Sequence, residues 1–390
     1  MDDFVFKNPT KIIFGKGAES KVGAEARESA SKVLLHFGGG SIKKTGLYDR
    51  VVASLKASGV AFVELGGVEP NPHLGLVKKG IEICRKEKIG LVLAVGGGSA
   101  IDSAKAIALG VPYAGDVWDF YAGNAEPAEA LPVGTILTIP AAGSEASTGT
   151  VITKEEGLLK RGFNSELIYP RFSILNPELA FTLPPEQIAY GAADIMSHLL
   201  ERYFTNSRPV EFTDRLIEAT LKTVIDAAPR VLANRGDYDS MAELMWAGTI
   251  AHNNLLNTGR VGDWATHDLE HEVSAIYNVA HGAGLAALFP SWMRFALPHD
   301  PLRFAQIANR VWGIELVPKD LERAAHRGIQ ALEAFWTSLG LATRLGPLGV
   351  KDDRVAEMAE KLSAKGTRKT GNFVKIGRAE AEAIYRLALR

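Results

Sequence analysis

The sequence predicts an α/β N-terminal half followed by an all-α C-terminal half, and three observations carry the prediction. β-type runs alternate with helical patterns up to about residue 180. Glycine-rich turns end two of those runs. Beyond residue 182 the β-alternation disappears, and the chain takes on the Ala, Leu, Glu and Arg content of helices. The 390 residues suit about two domains, placed at 1–182 and 183–390.

Lys32-Val-Leu-Leu-His-Phe37 is a β-type run closed by Gly38-Gly39-Gly40-Ser41. A helical stretch, Leu47 to Ala57, and the run Val60 to Leu65 follow. Leu74, Val77, Ile81 and Cys84 recur at spacings of 3, 4 and 3, so they share a helix face, and Cys84 reads as core. Gly90-Leu-Val-Leu-Ala-Val95 is a continuous apolar run of the kind buried on both faces of a parallel sheet. It ends in Gly96-Gly97-Gly98-Ser99 and leads into the helical Ala100–Leu109. Thr135-Ile-Leu-Thr-Ile139 reads as a further strand, and Pro184-Pro185 as a helix opening.

The composition narrows the function class. Apolar residues are 46% and charged residues 23%, the balance of a folded globular protein. The net charge of -1 leaves no basic surplus for a nucleic-acid partner. The uncharged stretch Val273–Met293 contains Asn278, His281 and Pro290, which argues for protein interior rather than a membrane span. A lone Cys84 and an N-terminus without an apolar signal core lead to a cytoplasmic expectation.

Two features carry chemistry. A glycine turn between a strand and a helix lets backbone N–H groups approach an anion at the positive end of the helix dipole. Gly38–Ser41 and Gly96–Ser99 both have this context, and two such turns in one sheet suit a ligand with two phosphates. Neither fits the G-x-G-x-x-G fingerprint or the Walker A pattern. The first turn has no acidic side chain to grip a ribose 2′-hydroxyl, and Lys43 and Lys44 stand behind it. This favours NADP(H) over NAD(H), with NAD(H) still open.

The second feature is a set of histidines. Five of nine fall between 198 and 281: His198, His252, His267, His271 and His281. Asp194 and His198 are i and i+4 on a helical pattern, as are His267 and His271, a spacing that suits two ligands of one cation. One carboxylate with three imidazoles suits Fe(II), Zn(II), Co(II) or Mn(II). Spacing alone leaves open which of His252, His267 and His271 ligate.

The same residues resemble a known family, the iron-containing (group III) alcohol dehydrogenases, and within it the NADPH-dependent butanol dehydrogenase and aldehyde reductase branch. The carrying segments are Phe14-Gly-Lys-Gly17, Gly38–Lys44, Glu69-Pro-Asn-Pro72, Gly96–Ser99 with Asp102 and Lys105, and Ala142-Gly-Ser-Glu145. Gly191–His198, Asp263–His271 and His281-Gly282 complete them, in order over nearly the whole chain. The resemblance implies a dehydroquinate synthase-like fold, with a dinucleotide-binding α/β domain and an all-helical metal-binding domain. It makes Asp194, His198, His267 and His281 the metal ligands, for Fe2+ or Zn2+, and His271 a proton-relay residue. Gly97, Gly98 and Ser99 take the pyrophosphate, Thr138 and Asp102 stand by the nicotinamide half, Gly39, Gly40 and Ser41 by the adenosine end, and Lys160 in the cofactor cleft. Asp102 and His271 are thus the expected catalytic side chains. A homodimer is implied, as is hydride transfer between NADP(H) and a primary alcohol or aldehyde such as butanol or butanal.

One departure is Asn176-Pro177, where many relatives have Asp-Pro. Two other readings are a polyol (glycerol-type) dehydrogenase on the same scaffold and a non-catalytic nicotinamide-binding protein with a structural metal.

Overall fold

The computed structural model describes residues 1–317 and 319–390, which form eight strands and fifteen α-helices. The first half runs β1 (Lys11–Phe14), α1 (Val22–Ser29), β2 (Lys32–Gly38), α2 (Ser41–Lys44), α3 (Leu47–Ala57), β3 (Ala61–Val68) and α4 (Leu74–Glu87). It continues with β4 (Leu91–Gly96), α5 (Gly98–Gly110), α6 (Trp118–Ala122), β5 (Val133–Leu137), β6 (Gly149–Lys154), β7 (Leu159–Asn164) and β8 (Phe172–Leu175). The helical remainder is α7 (Pro185–Tyr203), α8 (Glu211–Ala233), α9 (Tyr238–His252), α10 (Ala265–Tyr277), α11 (His281–Ala296), α12 (Pro301–Trp312), α13 (Leu321–Ser338), α14 (Val355–Leu362) and α15 (Arg378–Leu389).

These elements fall into two compact units. The α/β unit holds Lys7–Leu183 and Arg235–Asn253; the helical unit holds Met1–Phe6, Pro184–Asn234 and Asn254–Arg390. This grouping differs from a single break after residue 182 in two pieces, the first six residues and α9 with its flanks. Composition marks α9 as a helix. Its packing against the short 3₁₀ turns Ser144–Ala146 and Pro177–Ala180 is tertiary, and no local pattern encodes it.

In the α/β unit, six parallel strands form a sheet in the order β1-β8-β5-β4-β2-β3. β4 is buried along its whole length between β2 and β5, which is why it reads as an unbroken apolar run. From β2 the chain goes outward to β3, then returns to β4 on the other side of β2. The order therefore reverses between β2 and β4. Carboxyl ends at such a reversal are where open α/β sheets receive ligands. Phe37 lies opposite Val95, so both glycine turns leave neighbouring strands at the same level.

The short strands β1 and β8 and the antiparallel hairpin β6–β7 are additions to the sequence expectation. Cys84 is buried in α4, and burial pushes its thiol up to about 12. His36 is buried as well, bonded to Leu65 O and Ser103 Oγ, and burial lowers it to about 4. The Asn176 departure also has a physical account. Its amide donates to the buried Glu19 carboxylate at 2.9 Å, where an aspartate would set two like charges together.

In the helical unit α7 is buried over most of its length and packs against α8 and α11. Of the uncharged stretch Val273–Met293, Gly282–Met293 of α11 is buried throughout, whereas Ile276 and Tyr277 are half-buried and Asn278 is exposed. No helix among the described residues is long and apolar enough to cross a membrane.

Candidate metal and dinucleotide sites

The helical unit gathers four of the expected residues around one carboxylate oxygen. α7 supplies Asp194 and His198, α10 supplies His267, and α11 opens with His281. Around Asp194 Oδ1 stand His198 Nδ1 at 3.7 Å, His281 Nε2 at 3.8 Å and His267 Nε2 at 4.0 Å. These separations are too long for hydrogen bonds. Tetrahedral ligands at about 2.1 Å from a shared cation would lie about 3.4 Å apart. Donor atoms of Asp194, His267 and His281 all lie within 4.8 Å of one another, a set that fits a divalent metal, and His198 brings its Nδ1 beside Asp194. The Asp194, His198 and His267 side chains are at most 8% exposed, whereas His281 is 26% exposed, leaving one more open side. The rings of His198 and His267 stack at 4.7 Å.

Packing sets this geometry. A Cβ on Gly282 would fall 2.1 Å from the carbonyl oxygen of Tyr190, so α11 meets the backbone of α7 one residue from a candidate ligand. A Gly282→Ala variant is expected to lose about 1–3 kcal/mol of stability by overpacking. Chemical denaturation measures this, and an unchanged midpoint would mean that the two helices do not meet there.

Two side chains that the sequence reading did not single out complete the cluster. Glu201, fully buried on α7, accepts from His267 Nδ1 at 2.9 Å and from the backbone N–H groups of Trp264 at 2.7 Å and His267 at 3.0 Å. Burial acts to raise its carboxyl pKa, while those N–H groups and Arg202 favour the charged form. Glu270, also fully buried, accepts from His281 Nδ1 and from the Ser274 hydroxyl. A signal was present: each glutamate stands three residues after a candidate ligand histidine on its helix. Trp264, at φ +68°, walls the imidazoles with its ring 5.3 Å from that of His267.

His271 lies one turn after His267, with its ring 5.7 Å from that of His281, beside the four-residue cluster. His252 belongs to the α/β unit and packs against Gly143.

The α/β unit holds the expected dinucleotide residues. α5 starts at Gly98, directly after β4. Cβ atoms on Gly97 and Gly98 would come within 2.8 Å of Ile139 and 3.0 Å of Ala142, so side chains are excluded where a phosphate would approach the helix start. Gly40, at φ +116°, makes the turn after β2. Behind it Lys43 pairs with Glu64 at 3.2 Å and lies over the Tyr48 ring. Thr138 donates its N–H to Gly96 O, and Lys160 donates to Asn71 Oδ1 at 2.9 Å.

Asp102 accepts from Ser144 Oγ at 2.6 Å and from Val151 N at 2.9 Å, tying α5 to the loop after β5 and to β6. Lys105 extends this brace. Its buried ammonium donates to the carbonyls of Ser144, Ser147 and Gly149, and burial lowers it to about 8 against the nearby Asp102 and Glu145.

Comparison with known proteins gives a consistent result. Residues 9–177 match the family model described as iron-containing alcohol dehydrogenase, and 188–389 that of the C-terminal part of the same family. The chain is 44% identical over 389 residues to a probable NADH-dependent butanol dehydrogenase 1 of Bacillus subtilis, covering all of both chains. It is 35% identical over 391 residues to the NADPH-dependent aldehyde reductase YqhD of Escherichia coli, again covering all of both. The crystal structure of NADH-dependent butanol dehydrogenase A of Thermotoga maritima superposes with a TM-score of 0.96 at 40% identity, over 100% of this chain and 99% of that one.

Proposed function

Since this chain belongs to the iron-containing alcohol dehydrogenase family, we propose that it transfers hydride between NADP(H) and a primary alcohol or aldehyde of the butanol/butanal class. In this reading Asp194, His198, His267 and His281 hold one Fe2+ or Zn2+ ion. The observation that carries it is the convergence of three imidazole nitrogens on Asp194 Oδ1 at 3.7–4.0 Å.

When bound, the cation supplies a Lewis acid for the substrate oxygen, and the nicotinamide carries the hydride. The residues of the chain bind, orient and move the proton. Gly97, Gly98 and Ser99 hold the pyrophosphate at the start of α5, with Gly39, Gly40 and Ser41 at the adenosine end. Asp102 and Thr138 orient the nicotinamide half, and Lys160 lines the cofactor cleft. His271 gives and takes the alcohol proton, as imidazoles do near neutral pH.

The preference for NADP(H) rests on the absence of a carboxylate from the turn after β2. One observation favours NAD(H) instead: the Lys43 ammonium is already paired with Glu64. Initial rates of butanal reduction with NADPH and NADH decide between them. Exhaustive chelation is expected to abolish turnover and Fe2+ or Zn2+ to restore it; undiminished turnover by metal-free protein would overturn the reading.

The enzyme acts in the cytoplasm as a homodimer in this proposal. The exposed Phe4, Val5 and Phe6 support an apolar contact between copies, and the lone buried Cys84 suits a reducing compartment. Light scattering of the purified protein is expected to give twice the 42.0 kDa chain mass.

A further inference from the structure

We propose that Glu201 and Glu270 are positioning residues of the metal site, each accepting the Nδ1–H of a ligand imidazole and so aiming that ring's Nε2 at the cation position. The inference rests on the metal reading above and extends it to two residues outside the ligand set.

The arrangement is a relay across three helices. Glu201 stands on α7 and reaches His267 on α10; Glu270 stands on α10 and reaches His281 on α11. α7 and α10 thus each orient the ligand carried by the next of the three helices. Both carboxylates are fully buried, a placement that is costly unless the charge is met by donors. An Nδ1–H committed to a carboxylate fixes the tautomer, leaves the Nε2 lone pair for a metal and raises the basicity of the ring.

Two further observations show that the places are built. Glu201 also takes the N–H groups of Trp264 and His267, so the same carboxylate anchors the start of α10 and holds Trp264 at its left-handed backbone angle. A Cβ on Gly284 would come within 2.7 Å of Glu270 Oε1, so the first turn of α11 gives way to that side chain.

Glu201→Gln and Glu270→Gln keep the shape of each side chain and remove its charge. The full-length protein and both variants, stripped of metal, are titrated with Zn2+ against a chromophoric chelator and with Co2+ by visible absorption. Each variant is expected to bind Zn2+ about 10–100-fold more weakly. The Co2+ spectrum should change while the circular dichroism of the metal-free protein does not, an outcome that a merely structural role would not produce. Unchanged affinity and spectrum in Glu270→Gln would overturn the proposal, and that variant decides alone if Glu201→Gln fails to fold. If the unaltered chain binds neither ion, the metal reading itself falls, and this one with it.

Discussion

A His267→Ala variant is expected to lose metal and turnover together, whereas His271→Ala keeps its metal and loses turnover only. The contrast follows from one helical turn. His267 directs Nε2 toward Asp194 and is held from behind by Glu201, while His271 stands beside His281 outside that cluster. Removing one electrostatic donor from a transition state costs about 10²–10³-fold in rate, and losing the cation should cost no less. Loss of a proton-transfer group costs about 10²–10⁴-fold. His267→Ala also strips a buried carboxylate of one donor, which should lower stability by about 1–3 kcal/mol. Elemental analysis paired with butanal reduction checks both variants. Equal metal content in the two, with equal rates, would remove the assignment. Because ligation requires neutral imidazoles, metal content is also expected to fall as the pH drops below about 6.

What could be read ahead of the structure was what is local. The unbroken apolar run of β4 and its glycine stop announce a central strand feeding a helix, and both are found with nearly the expected limits. The four-residue strands β1 and β8 are too short to show a period, and the hairpin β6–β7 mixes buried, half-buried and exposed positions, with a single buried residue in β7. The Asp194–His198 pair was legible because helix pitch fixes it. The choice between His267 and His271 was not, since both share one face of α10, and only its packing against α11 separates them. Glu201 and Glu270 carry a local signal, three residues after a histidine, but which imidazole each would hold was hidden for the same reason. The bonds from Glu201 to His267 and from Glu270 to His281 span 66 and 11 residues.

An Asp214→Asn variant is expected to be strongly destabilised although it lies away from the metal cluster. Asp214, buried on α8, accepts from Arg303 at 2.6 Å and from Arg260 at 2.8 Å, and both guanidiniums are almost completely buried. Burial alone would raise its pKa, but the two arginines outweigh burial and hold the carboxyl below its usual 3.8. A neutral amide would leave two buried cations facing each other, and removing one partner of such a cluster costs about 3–5 kcal/mol. The sign with pH follows. A depressed native pKa contributes stability above the unfolded value of about 3.9, and that contribution is lost as the pH falls through the native value. The unaltered protein should therefore lose stability faster than Asp214→Asn below about pH 4, and the gap between them should narrow. Denaturant unfolding at several pH values tests this, and a gap that stays constant down to pH 2.5, about a unit below the ordinary aspartate value, would show that the carboxylate charge is not what holds the arginines. Arg260 also donates to the carbonyls of Arg202 and Val210, one of them next to Glu201 in the chain. Loosening it therefore acts on the end of α7 that positions His267, so some loss of metal affinity should accompany the loss of stability.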